Sequence, residues 1–193
     1  MAGPEEGPRL VWVGVLSMVA ICAVGLGWGY QFMIPEIDEV GYPLGLGPQT
    51  LDDGTTQVTV DARSEEEWVA FSFELGQIVP DGAAADVRLR RHYWRTSAGA
   101  AEVGGTNLVT AALPSDIEWQ EDVLDDGLLL NEVLLRWYDY SYWTHLLRSD
   151  HEVYAVRLRN DPSRAALIRI ESYYCAPEGS GCMTFRYRLV DAG

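Results

Sequence analysis

Val153-Tyr-Ala-Val-Arg-Leu-Arg159, Ala165-Ala-Leu-Ile-Arg-Ile-Glu-Ser-Tyr-Tyr174 and Met183-Thr-Phe-Arg-Tyr-Arg-Leu-Val190 decide the fold class. Large apolar side chains recur at every second position or crowd together, with β-branched and aromatic residues prominent, which is the signature of strands rather than of a helix. The breaks between the runs are turn sequences, Asn160-Asp-Pro-Ser163 and Cys175-Ala-Pro-Glu-Gly-Ser-Gly-Cys182. Short turns between neighbouring strands predict an antiparallel meander. Arg157, Arg159, Arg169, Arg186 and Arg188 lie on these runs and are expected to pair with acidic neighbours on a solvated face.

Upstream, the same period continues. Gln57 to Asp61, Glu67 to Glu74 (through Trp68, Phe71 and Phe73) and Asp86 to Thr96 (through Val87, Leu89, Tyr93 and Trp94) read as strands. Ser97 to Thr106 is small and glycine-rich, hence a loop; Leu108 to Ala112 suits a short strand; Pro114 to Gly127 is acidic and irregular. Leu128 to Tyr138 is strongly apolar and is read as a buried strand in preference to a short helix. Residues 57–193 are therefore expected to form one all-β, mainly antiparallel domain. Residues 36–56, with the Gly-, Pro- and Asp-rich stretch Gly41 to Gly54, are expected to be a linker.

Before the linker, Leu10 to Pro35 run without one charged side chain. A helix rising ~1.5 Å per residue needs roughly 20 apolar residues to cross the hydrocarbon layer, so residues 10–35 are expected to be a single transmembrane helix. Trp12 opens the stretch, and Trp28 and Tyr30 close it, as aromatic rings at the two membrane interfaces would. Arg9 precedes the span and Glu36, Asp38 and Glu39 follow it, which puts residues 1–9 in the cytoplasm of a bacterial inner membrane and the β domain in the periplasm. A cleaved signal peptide would have a more basic start and a shorter apolar core. Ile21 is too large for the position before a lipidated Cys22. Gly14, Gly25, Gly27 and Gly29 would let neighbouring helices, lipids or pigments approach the span closely.

Composition excludes several functions. The formal charge is −15, and no lysine is present. Nucleic acid is not an expected partner, because phosphate binding needs a basic face. No Ser/His/Asp arrangement, phosphate loop or zinc signature stands out, and the acidic run Asp122, Asp125 and Asp126 reads as a solvated loop without the carboxylate spacing of a calcium site, so neither catalysis nor a resident metal is expected. Cys22 falls in the span, whereas Cys175 and Cys182 bracket a turn between two strands and are expected to form a disulfide in an oxidising compartment.

The order of phrases resembles the HmuY family, all-β proteins of bacterial envelopes whose founding members bind haem. The resemblance runs from about Gln57 to Leu189. It rests on Val58-Thr-Val-Asp-Ala62, Glu67-Trp-Val-Ala-Phe-Ser-Phe73, Gly76 and Val79, then on Trp137-Tyr-Asp-Tyr140, Thr144-His145, Val153-Tyr-Ala-Val-Arg157, Ile168-Arg-Ile170, Ser172-Tyr-Tyr174 and Thr184-Phe-Arg-Tyr187. It implies a β domain of that family. The chain departs from the family where a Trp-Asp pair usually leads into an arginine-bearing strand, having Ala85-Asp86 before Arg88, Arg90 and Arg91, and Ser97-Ala98-Gly99 in place of an Asn-Gly-Gly loop. The resemblance also implies two axial histidines, yet the central counterpart, Leu113 to Leu130, holds no histidine and the second falls near Tyr140.

Two functions follow as expectations. The first is a non-catalytic accessory subunit of a larger membrane complex, such as a photosynthetic reaction centre with its antenna or a respiratory oxidase. It would carry no cofactor of its own and would dock on membrane-protein subunits through Trp137, Tyr138, Tyr140, Tyr142 and Trp143. The second is a membrane-tethered binder of haem or another small ligand, with His145 and Tyr140 as candidate ligands and Tyr142 and Met183 as further iron-binding side chains. His92 is expected to be a half-buried strand residue and His151 an exposed turn residue.

Overall fold

The meander predicted for the C-terminal third is the centre of the domain. The structure, a computed structural model, describes residues 39–82 and 84–192, and from Glu39 onward the chain forms one compact unit. The span expected at residues 10–35, with Trp12, Trp28 and Tyr30, lies outside the described residues. Among those described, no helix is long and apolar enough to cross a membrane.

In chain order the strands are β1 Gln49–Thr50, β2 Thr56–Asp61, β3 Val69–Ser72, β4 Gln77–Val79, β5 Val87–Arg90, β6 Tyr93–Thr96, β7 Ala100–Glu102, β8 Val123–Asp125, β9 Leu128–Leu130, β10 Tyr138–Tyr140, β11 Leu147–Ser149, β12 Val153–Arg157, β13 Arg164–Tyr174 and β14 Ser180–Asp191. One sheet has six strands in the order β1-β2-β14-β13-β12-β7, a second has four in the order β4-β3-β5-β6, and β8-β9 and β10-β11 are separate hairpins. Every strand pairing is antiparallel.

The two larger sheets close over a common core. Alternation along β12 and β14 sends Tyr154, Val156, Met183, Phe185 and Tyr187 to one face, where they meet Phe71, Phe73, Val87, Leu89 and Trp94 from the four-stranded sheet. Aromatic edges meet faces across the gap: Phe71 and Phe185 lie 5.4 Å apart at 88°, and Phe73 and Tyr187 lie 5.2 Å apart at 63°. Such geometry matches the positive ring edge to the negative ring face and adds roughly 1 kcal/mol per pair to the area buried.

The opposite face of the six-stranded sheet is also covered. Val153, Ala155 and Leu167 pack beneath Leu108, with Val103, Ala111, Leu113, Ile117 and Trp119 around them. This corrects the expected solvated face. Arg188 donates to the carbonyls of Leu108 and Ala111, and Arg169 donates to the carbonyl of Thr106 at 2.8 Å as well as pairing with Glu171. Arg186 does meet an acid, Asp53. Arg157 lies 4.5 Å from the Trp119 ring centroid. The guanidinium groups therefore tie the covering segment to the sheet, satisfying carbonyls that a buried loop would otherwise leave without donors.

Several sequence expectations need correction. Asp86 to Thr96 is a hairpin rather than one strand, turning at Arg91 (φ 55°) and His92. The expected loop Ser97 to Thr106 contains β7, which pairs with β12, while Leu108 to Ala112 is a turn and not a strand. Leu128 to Tyr138 is split into β9, a 3-10 turn at Leu134–Arg136 and the start of β10. The expected linker carries β1 and a bridge from Tyr42 to Cys175. Cys175 and Cys182 are bonded, with their Cα atoms 5.0 Å apart.

Candidate functional site

The hairpin β10-β11 carries the candidate ligand residues. Tyr138 pairs with Ser149, Asp139 with Arg148 and Tyr140 with Leu147. Its loop is closed from within: the Ser141 amide donates to the Leu146 carbonyl at 2.9 Å, and the His145 amide donates to the Ser141 carbonyl at 2.8 Å. His145 adopts φ 57°, a left-handed conformation that costs an ordinary side chain on the order of 1 kcal/mol. That backbone turns the imidazole back, so Nδ1 lies 2.6 Å from the Tyr140 hydroxyl. The hairpin is anchored to β13 by the Leu147 amide donating to Tyr174 Oη at 2.8 Å and by Ser149 Oγ donating to the Ile170 carbonyl at 2.5 Å.

Around this pair the surface is aromatic. Trp143 is 93% exposed, Tyr142 83% and Tyr140 43%. Tyr142 meets the Tyr140 ring edge to face at 5.1 Å. A nearly bare indole forgoes on the order of 2 kcal/mol of burial, and three neighbouring exposed aromatics form a patch of the kind that marks a binding surface.

The structure does not place all five expected docking aromatics on that surface. Trp137 is fully buried in the core, with Nε1 donating to the His92 carbonyl at 3.2 Å, and Tyr138 is half-buried against it at 4.9 Å. Met183 is fully buried between the sheets, which removes it as a ligand for a surface-bound iron. His92 lies in the β5-β6 turn rather than on a strand. Burial, reinforced by the Arg91 charge, lowers its pKa below the ordinary histidine value, so it is neutral at pH 7. His151 is exposed, with Nδ1 3.9 Å from Glu171. Among the described residues, no three His, Cys, Asp or Glu side chains converge as a metal cluster.

A second apolar projection went unnoticed in the sequence. Asp126 and Gly127 have φ 43° and 79°, the positive values of a two-residue hairpin turn, and they join β8 to β9. Leu124 is 75% exposed there, beside exposed Val123 and Leu129. The signal was present: Val123-Leu-Asp-Asp-Gly-Leu-Leu-Leu130 is an Asp-Gly turn between apolar runs, but the surrounding acidic residues mask it. The root of this hairpin is a hydrogen-bonded network. Asp122 accepts from the amide and hydroxyl of Thr96, and Asn131 donates to Asp122 at 3.2 Å and to the Gln120 carbonyl at 2.9 Å.

The chain segments leading into the two hairpins are held near the two ends of the edge strand β6. One is rooted at Thr96, the other at His92 just beyond the opposite end, and an extended chain of that length spans ~13 Å. The segment between them, with Asn131, Val133, Leu134 and Trp137, is buried. A separate groove of about 360 Å³ lies between Leu44 to Pro48 and strands β2, β3 and β4, lined by Leu44, Leu46, Val58, Phe71 and Ile78. Two of its polar side chains are engaged within the fold: Asp61 holds Arg63, and Thr59 bonds Thr184.

The fold defines the class first: a two-sheet antiparallel β domain with two projecting hairpins. A Bacteroides vulgatus protein described as HmuY-like and haem-binding matches it with a TM-score of 0.61 and 22% identity, over 74% of this chain and 97% of that one. A Bacteroides fragilis chain described as a lipoprotein matches with a TM-score of 0.58 and 21% identity, over 74% and 95%. The ligand-free HmuY analogue of Tannerella forsythia matches with a TM-score of 0.54 and 15% identity, over 70% and 95%. No family model and no curated protein matches the sequence. The β domain has an HmuY-like fold, as the sequence phrases implied.

Proposed function

We propose that this chain is a tethered ligand-capture protein whose β domain binds a flat, largely apolar ligand of the haem type on the β10-β11 hairpin. The observation that carries the reading is the Tyr140-His145 pair set beside the exposed rings of Tyr142 and Trp143. Phenol oxygen and imidazole nitrogen both serve as haem ligands, and aromatic rings stack on a planar macrocycle. The donor set therefore fits haem. When bound, that group would supply an iron centre; the chain supplies a surface that covers part of the ring.

Support also comes from the solved structures of the same fold, one described as haem-binding. The family's two-histidine arrangement has no counterpart in residues 113–130, so capture here relies on a different donor set. Tethering to a bacterial inner membrane through residues 10–35, with the domain in the periplasm, completes the reading. The role proposed is capture of a ligand rather than its chemical conversion.

The accessory-subunit reading uses the same aromatics as a docking patch, now reduced by the burial of Trp137. Nothing among the described residues points to a bioenergetic complex as partner. Purification from native membranes with an absorption spectrum separates the two. A lone chain that takes up ferric haem stoichiometrically supports capture. Stoichiometric membrane subunits and no haem uptake would overturn it.

A further inference from the structure

The outer face of the four-stranded sheet gathers three arginines around one indole. Val87 and Leu89 of β5 and Trp94 of β6 point into the core. Strand alternation therefore sends Arg88, Arg90 and Arg95 outward. Arg88 stands directly opposite Arg95 in the β5-β6 ladder, and Arg90 is within long side-chain reach of Arg95 along the diagonal. Trp68 comes one residue before Val69, which pairs with the inward-facing Leu89, so its ring falls on the same outer face. The guanidinium carbon of Arg90 lies 4.6 Å from the Trp68 ring centroid and that of Arg95 lies 5.1 Å from it. Ala70, Val79 and Ala85 form a small buried apolar cluster on this side of the sheet.

The charges on this face are not balanced by the fold. Like charges directly opposite each other on a sheet repel. The chain has 29 acidic side chains against 14 basic ones, so acids to relieve that repulsion are plentiful. Arg88 is relieved: its Nε donates to Asp81 at 2.7 Å and its Nη1 donates to Ser97 Oγ at 3.0 Å. Arg90 and Arg95 form no ion pair with any described residue. The indole holds both instead, through the attraction of a cation to the ring face. A guanidinium laid on a ring keeps its fork of N–H groups in a fixed plane, which suits it to meet an oxyanion.

We propose that Arg90 and Arg95, stacked on Trp68 and flanked by Arg88, bind a phosphate group. A carboxylate presents two coplanar oxygens and matches one fork, whereas a tetrahedral phosphate presents oxygens in several directions and accepts from forks on two neighbouring strands at once. The net charge of −15 opposes an incoming anion at long range. That field is screened over about 10 Å at 0.1 M salt, while fork contacts act at about 2.7–2.9 Å. The phosphate can be free or carried on a lipid headgroup. The site stands apart from ligand capture on the β10-β11 hairpin, and either can fail without the other.

The test is isothermal titration calorimetry on the full chain in neutral detergent micelles, at constant ionic strength set with chloride. Inorganic phosphate and glycerophosphoglycerol, an anionic lipid headgroup without its acyl chains, are the two probes. The double change Arg90→Gln with Arg95→Gln should weaken binding of the preferred probe at least roughly tenfold. Arg136→Gln with Arg159→Gln removes the same charge from exposed positions elsewhere and should leave affinity within about twofold. Arg90→Lys with Arg95→Lys keeps charge and stem but not the fork; it should weaken binding several-fold, and it serves if the glutamine pair does not fold. Tighter binding of inorganic phosphate marks a free phosphate as the ligand, and tighter binding of glycerophosphoglycerol marks a headgroup. Binding of neither probe by the wild type overturns the proposal. So does an equal loss in the Arg136 and Arg159 pair, or unchanged affinity in the glutamine or lysine pair.

Discussion

Oδ1 of Asp86 accepts the backbone amide of Arg159 at 2.9 Å, joining the entry of β5 in the four-stranded sheet to the exit of β12 in the six-stranded one. The other oxygen, Oδ2, accepts the amide of Phe73 at 2.8 Å. The carboxyl is buried, and desolvation pushes its pKa up against the pull of these donors.

Replacing Asp86 with Asn should be costly despite the matched shape. An amide offers one oxygen where two amides need acceptors, so its NH2 must face a backbone N–H. A loss of about 1–3 kcal/mol is expected, read from urea unfolding midpoints. A change under about 0.5 kcal/mol would mean that the two sheets are not joined through this side chain.

Alkali should unfold the domain steeply. Burial raises the pKa of Tyr42, Tyr138, Tyr154, Tyr173, Tyr174 and Tyr187 above the ordinary value, and Tyr154 is raised furthest, by desolvation and by donating to Asp150 at 2.7 Å. The folded state then holds protons that the unfolded state releases from about pH 10 upward. The stabilisation is fully present below pH 10 and is lost as pH rises through the folded values. Phenolate absorbance should appear together with the loss of circular dichroism; full ionisation in a still-folded domain would refute this.

Changing both Cys175 and Cys182 to Ala should remove about 2–3 kcal/mol, because the bond closes a short loop and limits the unfolded chain. The comparison is denaturant unfolding against the oxidised wild type. Reduction of the wild type should give a loss of similar size.

Core and hairpin aromatics should separate cleanly. Phe71 meets Phe73, Phe185 and Tyr187 at the centre of the sandwich, so Phe71→Ala should cost about 3–5 kcal/mol. The double change Tyr142→Ser with Trp143→Ser should leave the melting temperature nearly unchanged, within about 0.5 kcal/mol, while weakening haem uptake. A large stability loss from the hairpin pair would show that these rings serve packing instead.

The sequence was legible wherever the signal is a period of two or a short-range contact. The three C-terminal strands lie within a few residues of their predicted ends, and the Cys175-Cys182 bond follows from the turn between them. It was less legible where one feature masked another. The hairpin turn at Arg91 hid inside a stretch that alternates throughout, and Asp126-Gly127 hid inside an acidic one. β7 escaped notice because Ala100-Ala101 has no bulky side chains and takes its place in the sheet by pairing with β12.

Trp137 and Trp143 mark the boundary between the two kinds of information. Local sequence determines that both belong to an aromatic stretch around a strand, because the alternation of side chains is a property of the backbone itself. It does not determine that the first is sealed in the core while the second stands in solvent. Only the tertiary structure decided that, as it decided that residues 103–119 cover the second face of the large sheet. Burial is a relation between segments far apart in the chain, whereas strand period and turn chemistry are set by neighbouring residues.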